Sequence, residues 1–397
     1  MDLLRSGRIG TIDGLRGIAI LLVVWFHLWQ TSWQAAVIPV VNISLQPLAE
    51  TGFIGVALFF FISGFVLLLP YADARLNGTP PPSLRHFFLR RFFKIVPSYV
   101  LCIAVLLALG MQAYPSAAAA VKDVVFHLLF VHNWFAASNG SIDGVMWSLG
   151  AEVQFYAIFP FIAVAFVRRP AIGALAMLAI ACGWRLWCLQ SDHFFITQRL
   201  QQLPAYLDFF AAGMLGACAY ATIAARRPAL AARRWAFTAL AAAGFALMLL
   251  VANGYYIQRF APDWPHPAEL TLRPALALAC LMVGLGSLFA VRAFQRMLAN
   301  VALLYLAAIS YNLYLWHQPI AQLLLRWHLP AYAGSDPHAD PVWKVAFWLV
   351  AIPAVLAIAT ATTSLFERPL LRWGRSLEKR EPAVVHDDTL AASHVVS

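Results

Sequence analysis

Thr11-Ile-Asp-Gly-Leu-Arg-Gly-Ile-Ala-Ile-Leu-Leu-Val-Val-Trp-Phe-His27 is the stretch whose reading decides the fold. From Ile18 to Phe26 it is wholly apolar, and with its flanks it approaches the roughly 20 residues that cross a hydrocarbon layer about 30 Å thick. Arg5 and Arg8 precede it, as in a secretory signal. Asp13 and Arg16 interrupt the run near its start, however, and no small-residue cleavage site follows, so it reads as a retained span.

Working outward, the whole chain has the composition of that first segment. Of its 397 residues 62% are hydrophobic and 12% charged, with 14 Trp. Mean hydropathy is +0.72. A soluble domain carries about 45–50% apolar and about 25% charged residues, so the length is taken up by membrane spans. The formal charge of +10 raises the question of nucleic acid. The basic residues sit in short clusters between apolar runs, which argues against that partner. The five cysteines (Cys102, Cys182, Cys188, Cys218 and Cys280) lie in or beside apolar segments without metal-type spacing and read as small hydrophobes. No zinc-type histidine pair, Walker loop or dinucleotide fingerprint is present, and no metal is expected.

Ten spans are predicted, at 12–31, 52–70, 93–112, 145–167, 171–190, 203–224, 235–252, 271–291, 299–325 and 343–366. The apolar stretch 121–135 is short and carries His127, His132 and Asn133, so it reads as a re-entrant or interfacial piece. Twenty of the 28 basic residues fall in one set of loops and flanks, with clusters at Arg85–Lys94, Arg226–Arg234 and Arg368–Arg380. By the positive-inside rule that set is cytoplasmic. The expected fold is therefore an all-α polytopic membrane protein of about ten transmembrane helices with both termini cytoplasmic. One membrane domain is expected over 1–380, and 381–397, polar and aperiodic, reads as a disordered cytoplasmic tail.

Charges within a span are costly and call for an explanation. Arg16 and His27 are 11 residues apart; at 100° per residue they share a face, offset by roughly 20°, with an axial separation of about 16 Å. Asp13, one turn before Arg16, is placed to pair with it. The bland reading is an Asp–Arg interface anchor with a packed histidine.

Further motifs follow in order. Residues 55–67 read Gly-Val-Ala-Leu-Phe-Phe-Phe-Ile-Ser-Gly-Phe-Val-Leu, and residues 88–97 read Phe-Leu-Arg-Arg-Phe-Phe-Lys-Ile-Val-Pro. Residues 147–156 read Trp-Ser-Leu-Gly-Ala-Glu-Val-Gln-Phe-Tyr, 310–317 read Ser-Tyr-Asn-Leu-Tyr-Leu-Trp-His, and 366–369 read Phe-Glu-Arg-Pro. This set, with the Arg-x10-His frame of the first span, resembles the acyltransferase-3 family of bacterial membrane acyltransferases, from residue 13 to 369. One departure stands out. Lys94 occupies the second basic position of an Arg-x-x-Arg element, keeping the charge but losing the planar fork.

The resemblance implies a bacterial inner-membrane O-acyltransferase. Arg16, Asp13, Arg91, Arg90 and Lys94 would serve the phosphates of acetyl-CoA, the acyl donor, with simple topogenic charge as the bland alternative for the cluster at 90–94. His27 would be the general base, or would carry the acyl group transiently, and Glu152 would orient it, bind the acceptor hydroxyl or pair with an arginine. Ser310, Tyr314 and His317, at i, i+4 and i+7, would form a polar stripe on the ninth span toward the acceptor, against the bland reading of a polar seam between helices, and Tyr156 would bind substrate beside them. Glu367 and Arg368 read as interface anchors. The acceptor would be a hydroxyl of an envelope or exported polysaccharide or its lipid-linked precursor, met among membrane lipids. Alternatives are a small secreted metabolite, a succinyl donor, or a transporter or flippase without acyl chemistry. Some family members carry an SGNH-hydrolase-like domain; with only a short segment after the tenth span, a stand-alone form is the expectation here.

Overall fold

The computed structural model describes residues 9–38, 43–190, 196–259, 266–332, 334 and 336–378. The expected tail at 381–397 lies outside them. Long helices dominate: α1 Gly10–Ser32, α2 Ile54–Asn77, α3 Leu84–Ala108, the shorter α4 Ala117–Leu128, α5 Met146–Arg168, α6 Pro170–Gln190 and α7 Leu207–Arg226. They continue with α8 Arg234–Gln258, α9 His266–Phe289, α10 Arg292–Leu298, α11 Val301–Arg326, α12 Pro341–Ala361 and α13 Arg368–Glu378. Among the described residues, nine segments are long and apolar enough to cross a membrane, and the pair α10–α11, bent by 45°, makes a tenth. The chain is a multi-pass membrane protein. The bend has a local cause: Asn300 caps α11, its side chain accepting from the Leu303 N–H, so a new helix starts at Val301, close to the expected start of the ninth span at 299.

Lipid tails are as apolar as leucine, so helices in a membrane associate by close packing rather than by hydrophobic exclusion. Three glycine contacts show how. A Cβ on Gly17 would collide with the Leu303 carbonyl oxygen, so α1 and α11 touch backbone to backbone on that face. Gly64 of α2 meets the Phe210 carbonyl oxygen in the same way, and Gly213 of α7 meets that of Phe61, making a reciprocal crossing. Helix α2 is the centre of the bundle, with 78% of its apolar window buried, against 22% for the last segment.

That last segment runs unbroken from Pro341 to Leu377 through a π-helical turn at Thr362–Glu367. At 1.5 Å per residue its 37 residues exceed the hydrocarbon thickness, so α13 stands clear of it. The wide turn also corrects one expectation. Glu367 is no interface anchor, for it is buried at 3% exposure and turned into the bundle. Arg185 lies within α6. It is fully buried, donating to the Ala205 carbonyl oxygen at 2.6 Å and pairing with Asp208 at 2.6 Å.

Candidate active site

Two adjoining cavities share part of their lining at the end of the bundle where Arg16 sits. The larger, about 1000 Å³, is walled by α1, α3, α11, the π-turn and α13. The deeper, about 370 Å³, runs between α1, α2, α3, α5 and α11. Arg16, Arg90 and Lys94 line both, so these three side chains stand at the junction. Arg16 Nη1 lies 3.8 Å from Asp13 Oδ1, the pairing that their spacing predicts. Arg91 lines the deeper cavity, its guanidinium 5.2 Å from the centre of the Tyr156 ring. Its Nε is buried with no hydrogen-bond partner among the described residues. Such an orphaned donor is costly unless something else supplies an acceptor.

Lys94 is committed elsewhere. Its ammonium donates to Glu367 Oε1 at 2.5 Å, and Asn312 Nδ2 donates to Glu367 Oε2 at 2.7 Å and to Thr363 Oγ1 at 2.9 Å. A flexible point charge suits this clamp between α3, α11 and the π-turn, where the paired donors of an arginine are not required. The substitution noted in the sequence thus has a structural use.

In the deeper cavity Glu152 Oε1 accepts from Ser63 Oγ and from Tyr156 OH, each at 2.5 Å. Glu152 and Tyr156 are one turn apart on α5, which gives the contact directly; Ser63, from α2, carried no sequence signal beyond its place in the Phe-rich motif. Ser310 and Tyr314 also line this cavity, and Tyr314 OH is 2.6 Å from Ser148 Oγ.

His317 is not beside them. It is fully buried one helical turn further on, and its Nε2 lies 3.0 Å from His27 Nδ1. Each ring also addresses a carbonyl four residues back on its own helix: His317 Nδ1 to Leu313 O at 3.0 Å, and His27 Nδ1 to Val23 O at 2.9 Å. Carbonyls only accept, so both Nδ1 atoms carry hydrogen. With neutral rings, His317 Nε2 is then a lone pair, the Nδ1–H of His27 is shared between that lone pair and Val23 O, and His27 Nε2 is bare. This assignment follows from the hydrogen-bond network. The dyad sits just past Tyr314, whose ring centre is 5.8 Å from that of His317.

The 121–135 stretch forms α4 followed by a 3-10 turn at His132–Trp134. His127, His132 and Asn133 are all fully buried rather than spread along an interface. The two imidazoles stack at 4.1 Å, and Asp123 Oδ2 accepts from Tyr114 OH and Ser141 Oγ, each at 2.7 Å. Burial, reinforced by the neighbouring His127, holds His132 at about 3, below its ordinary 6.5; burial also lowers His127. The folded state therefore refuses protons that the unfolded chain accepts below 6.5. The stabilising contribution is whole above that pH and is lost as pH falls toward 3. The thermal midpoint in detergent is expected to drop between pH 7 and pH 5, with a shallower slope in His132→Phe, which keeps the stack. Equal slopes in the two proteins would contradict this. Among the described residues no three His, Cys, Asp or Glu side chains are grouped as a metal would need.

The architecture is thus a multi-pass helical bundle in which a basic cavity reaches inward to Tyr314, next to a pair of histidines of which His317 is buried and His27 half-buried. The chain belongs to the acyltransferase-3 family: residues 9–366 match the family described as acyltransferase domain. It is 28% identical over 330 residues to the putative membrane-bound transacylase BcsY of Komagataeibacter xylinus, covering 80% of this chain and 74% of that one. It is 22% identical over 330 residues to O-acetyltransferase OatA of Staphylococcus aureus, covering 78% and 50%. A 169-residue match at 29% identity to peptidoglycan O-acetyltransferase OatA of Listeria monocytogenes covers 40% of this chain and 24% of that protein. The chain therefore spans half or less of these two O-acetyltransferases. No solved structure is a significant match.

Proposed function

We propose that this protein is a bacterial inner-membrane O-acyltransferase. It would move an acetyl group from cytoplasmic acetyl-CoA to a hydroxyl of an envelope or exported polysaccharide or its lipid-linked precursor. The observation that carries this reading is a cavity with basic residues at Arg16, Arg90 and Arg91 whose lining extends to Tyr314, the neighbour of the His27–His317 pair. The donor's phosphates lie at Arg16, Arg90 and Arg91, where the orphaned Arg91 Nε has a place for an acceptor oxygen. Asp13 keeps Arg16 in position. The pantetheine arm runs along the cavity past Glu152, Tyr156, Ser310 and Tyr314, and the axial gap of about 16 Å from Arg16 to His27 suits its extended length. Lys94 contributes charge while holding Glu367.

At the inner end, His27 Nε2 takes the proton of the acceptor hydroxyl as its oxygen attacks the thioester carbonyl. The carbon–sulfur bond breaks, the imidazolium returns the proton to the departing thiolate, and the products are the O-acyl ester and CoA. An imidazole suits this because it gains and loses a proton near neutrality. His317 keeps the His27 Nδ1–H directed and accepts from it while the ring is charged, which is a positioning role. The names of the O-acetyltransferase relatives favour acetyl, and the peptidoglycan relative favours a glycan acceptor.

The test supplies purified protein in membranes with acetyl- and succinyl-CoA, each labelled in the acyl group, with and without envelope glycan. Faster release of free CoA from acetyl-CoA than from succinyl-CoA, with label appearing in the glycan, is expected. Absence of turnover from either donor would sink the enzyme reading in favour of a transporter. Label held on the protein when acceptor is left out would assign an acyl-histidine route to the same Nε2.

A further inference from the structure

We infer that the basic face of α13 reads the 3′-phosphate of the donor nucleotide, with Arg372 and Arg375 as its specificity-determining side chains. The inference rests on the donor being a CoA thioester, as proposed above.

The larger cavity carries six basic side chains, Arg16, Arg90, Lys94, Arg368, Arg372 and Arg375, against two acidic ones, Asp13 and Glu367. The acids are already engaged, Asp13 with Arg16 and Glu367 with Lys94. Among the described residues no carboxylate lies within ion-pair reach of Arg368, Arg372 or Arg375. Topogenic charge alone does not need to converge on a cavity, and these residues do. At positions i, i+4 and i+7 of α13 they fall within an arc of about 60°.

The helix that presents them is held in place. Gly374 lies against the Phe93 ring so closely that a Cβ there would be 2.5 Å from a ring carbon, and Trp373 packs edge-on to Phe93 with ring centres 5.3 Å apart. Helix α13 is thereby docked on α3 and forms a fixed outer wall of the cavity. The cavity's excess of four positive charges matches a CoA thioester, which carries about two negative charges on the 3′-phosphomonoester and roughly one on each phosphate of the pyrophosphate.

Geometry divides these charges. The thioester must reach inward to His27, so the pyrophosphate falls at the junction of the two cavities, near Arg16, Arg90 and Arg91. The ribose with its 3′-phosphate then lies farther out, where the remaining cations are those of α13. Arginine is suited to a phosphomonoester because its paired donors match two phosphate oxygens.

The discriminating probe is acetyl-dephospho-CoA, which keeps the adenosine, pyrophosphate and thioester but lacks the 3′-phosphate. Steady-state constants are compared for acetyl-CoA and acetyl-dephospho-CoA in wild type and in Arg372→Ala, Arg375→Ala and the double variant. Wild type is expected to show a KM at least about tenfold lower for acetyl-CoA, as fits two charge-assisted contacts. The double variant should lose that preference. Its KM for acetyl-CoA should rise to the level of the dephospho donor, while its constants for the dephospho donor stay within about twofold of wild type. Turnover of the dephospho donor also reports that the variant is folded, and Arg372→Lys should recover part of the preference.

The inference is overturned if wild type does not distinguish the donors, or if the variants weaken both equally. The assays run in neutral and in anionic-lipid discs. An effect confined to anionic discs and equal for both donors would assign α13 to a lipid phosphate and likewise overturn it. Wild type inactive with acetyl-CoA would remove the proposed function itself, and this inference with it.

Discussion

His27→Ala is expected to lower kcat for acyl transfer by roughly 10²–10⁴, the range lost with a general base, while the KM for acetyl-CoA stays close to wild type. The split follows from distance: the phosphate-binding groups stand about 16 Å away along the first helix. His317 gives the sharper form of the same test. Its Nε2 accepts from the His27 Nδ1–H, so His317→Leu leaves that hydrogen with Val23 O alone and the charged ring without a partner. A loss of roughly 10–100-fold in kcat is expected, because a positioned hydrogen-bond acceptor to a charged group contributes about 1.5–3 kcal/mol. His317→Gln, which keeps an acceptor, should recover part of it. Once His27 is alanine, removing His317 should cost nothing further, since the two act as a unit. Independent, multiplying losses would refute the dyad, and unaltered transfer in His27→Ala would refute the catalytic role altogether.

Arg16→Met is expected to raise the KM for acetyl-CoA by roughly 10–100-fold with a smaller change in kcat, as loss of a charged contact to phosphate predicts. Methionine keeps the apolar length of the side chain and removes its charge. Arg16→Lys should fall between the two, since a point charge replaces the fork. A change confined to kcat, with donor KM unmoved, would show that Arg16 does not hold the donor.

The parts of this site that were legible in the sequence are those governed by a helix's own period. The shared face of Arg16 and His27, the Asp13–Arg16 pair and the Glu152–Tyr156 contact all follow from residue spacing within one helix. Apolar run length located all ten spans, although not the bend before α11, which depends on one capping asparagine. What was illegible depends on contacts between helices distant in the chain. The two histidines that meet are 290 residues apart, and nothing local to either announces the other. His317 was read with Ser310 and Tyr314 because they share a stripe, yet the stripe extends beyond the cavity and its last member meets α1 instead. Lys94 and Glu367 present the same problem across 273 residues. Glu367 was misjudged for an additional reason: it was read as an anchor from its place at the end of the last apolar run, whereas the helix continues through a π-turn at Thr362–Glu367.

That turn has a consequence for α13. A π-turn holds one residue more than the regular helix it interrupts, so everything beyond it is rotated by about 100° relative to an uninterrupted continuation. The azimuth of the arginine face is therefore fixed by six residues, Thr362 to Glu367, that contain no arginine. Chain length in that window acts as a setting screw: with one residue fewer, the same sequence of α13 would direct its cations along a different bearing, and the membrane crossing before it would be unchanged.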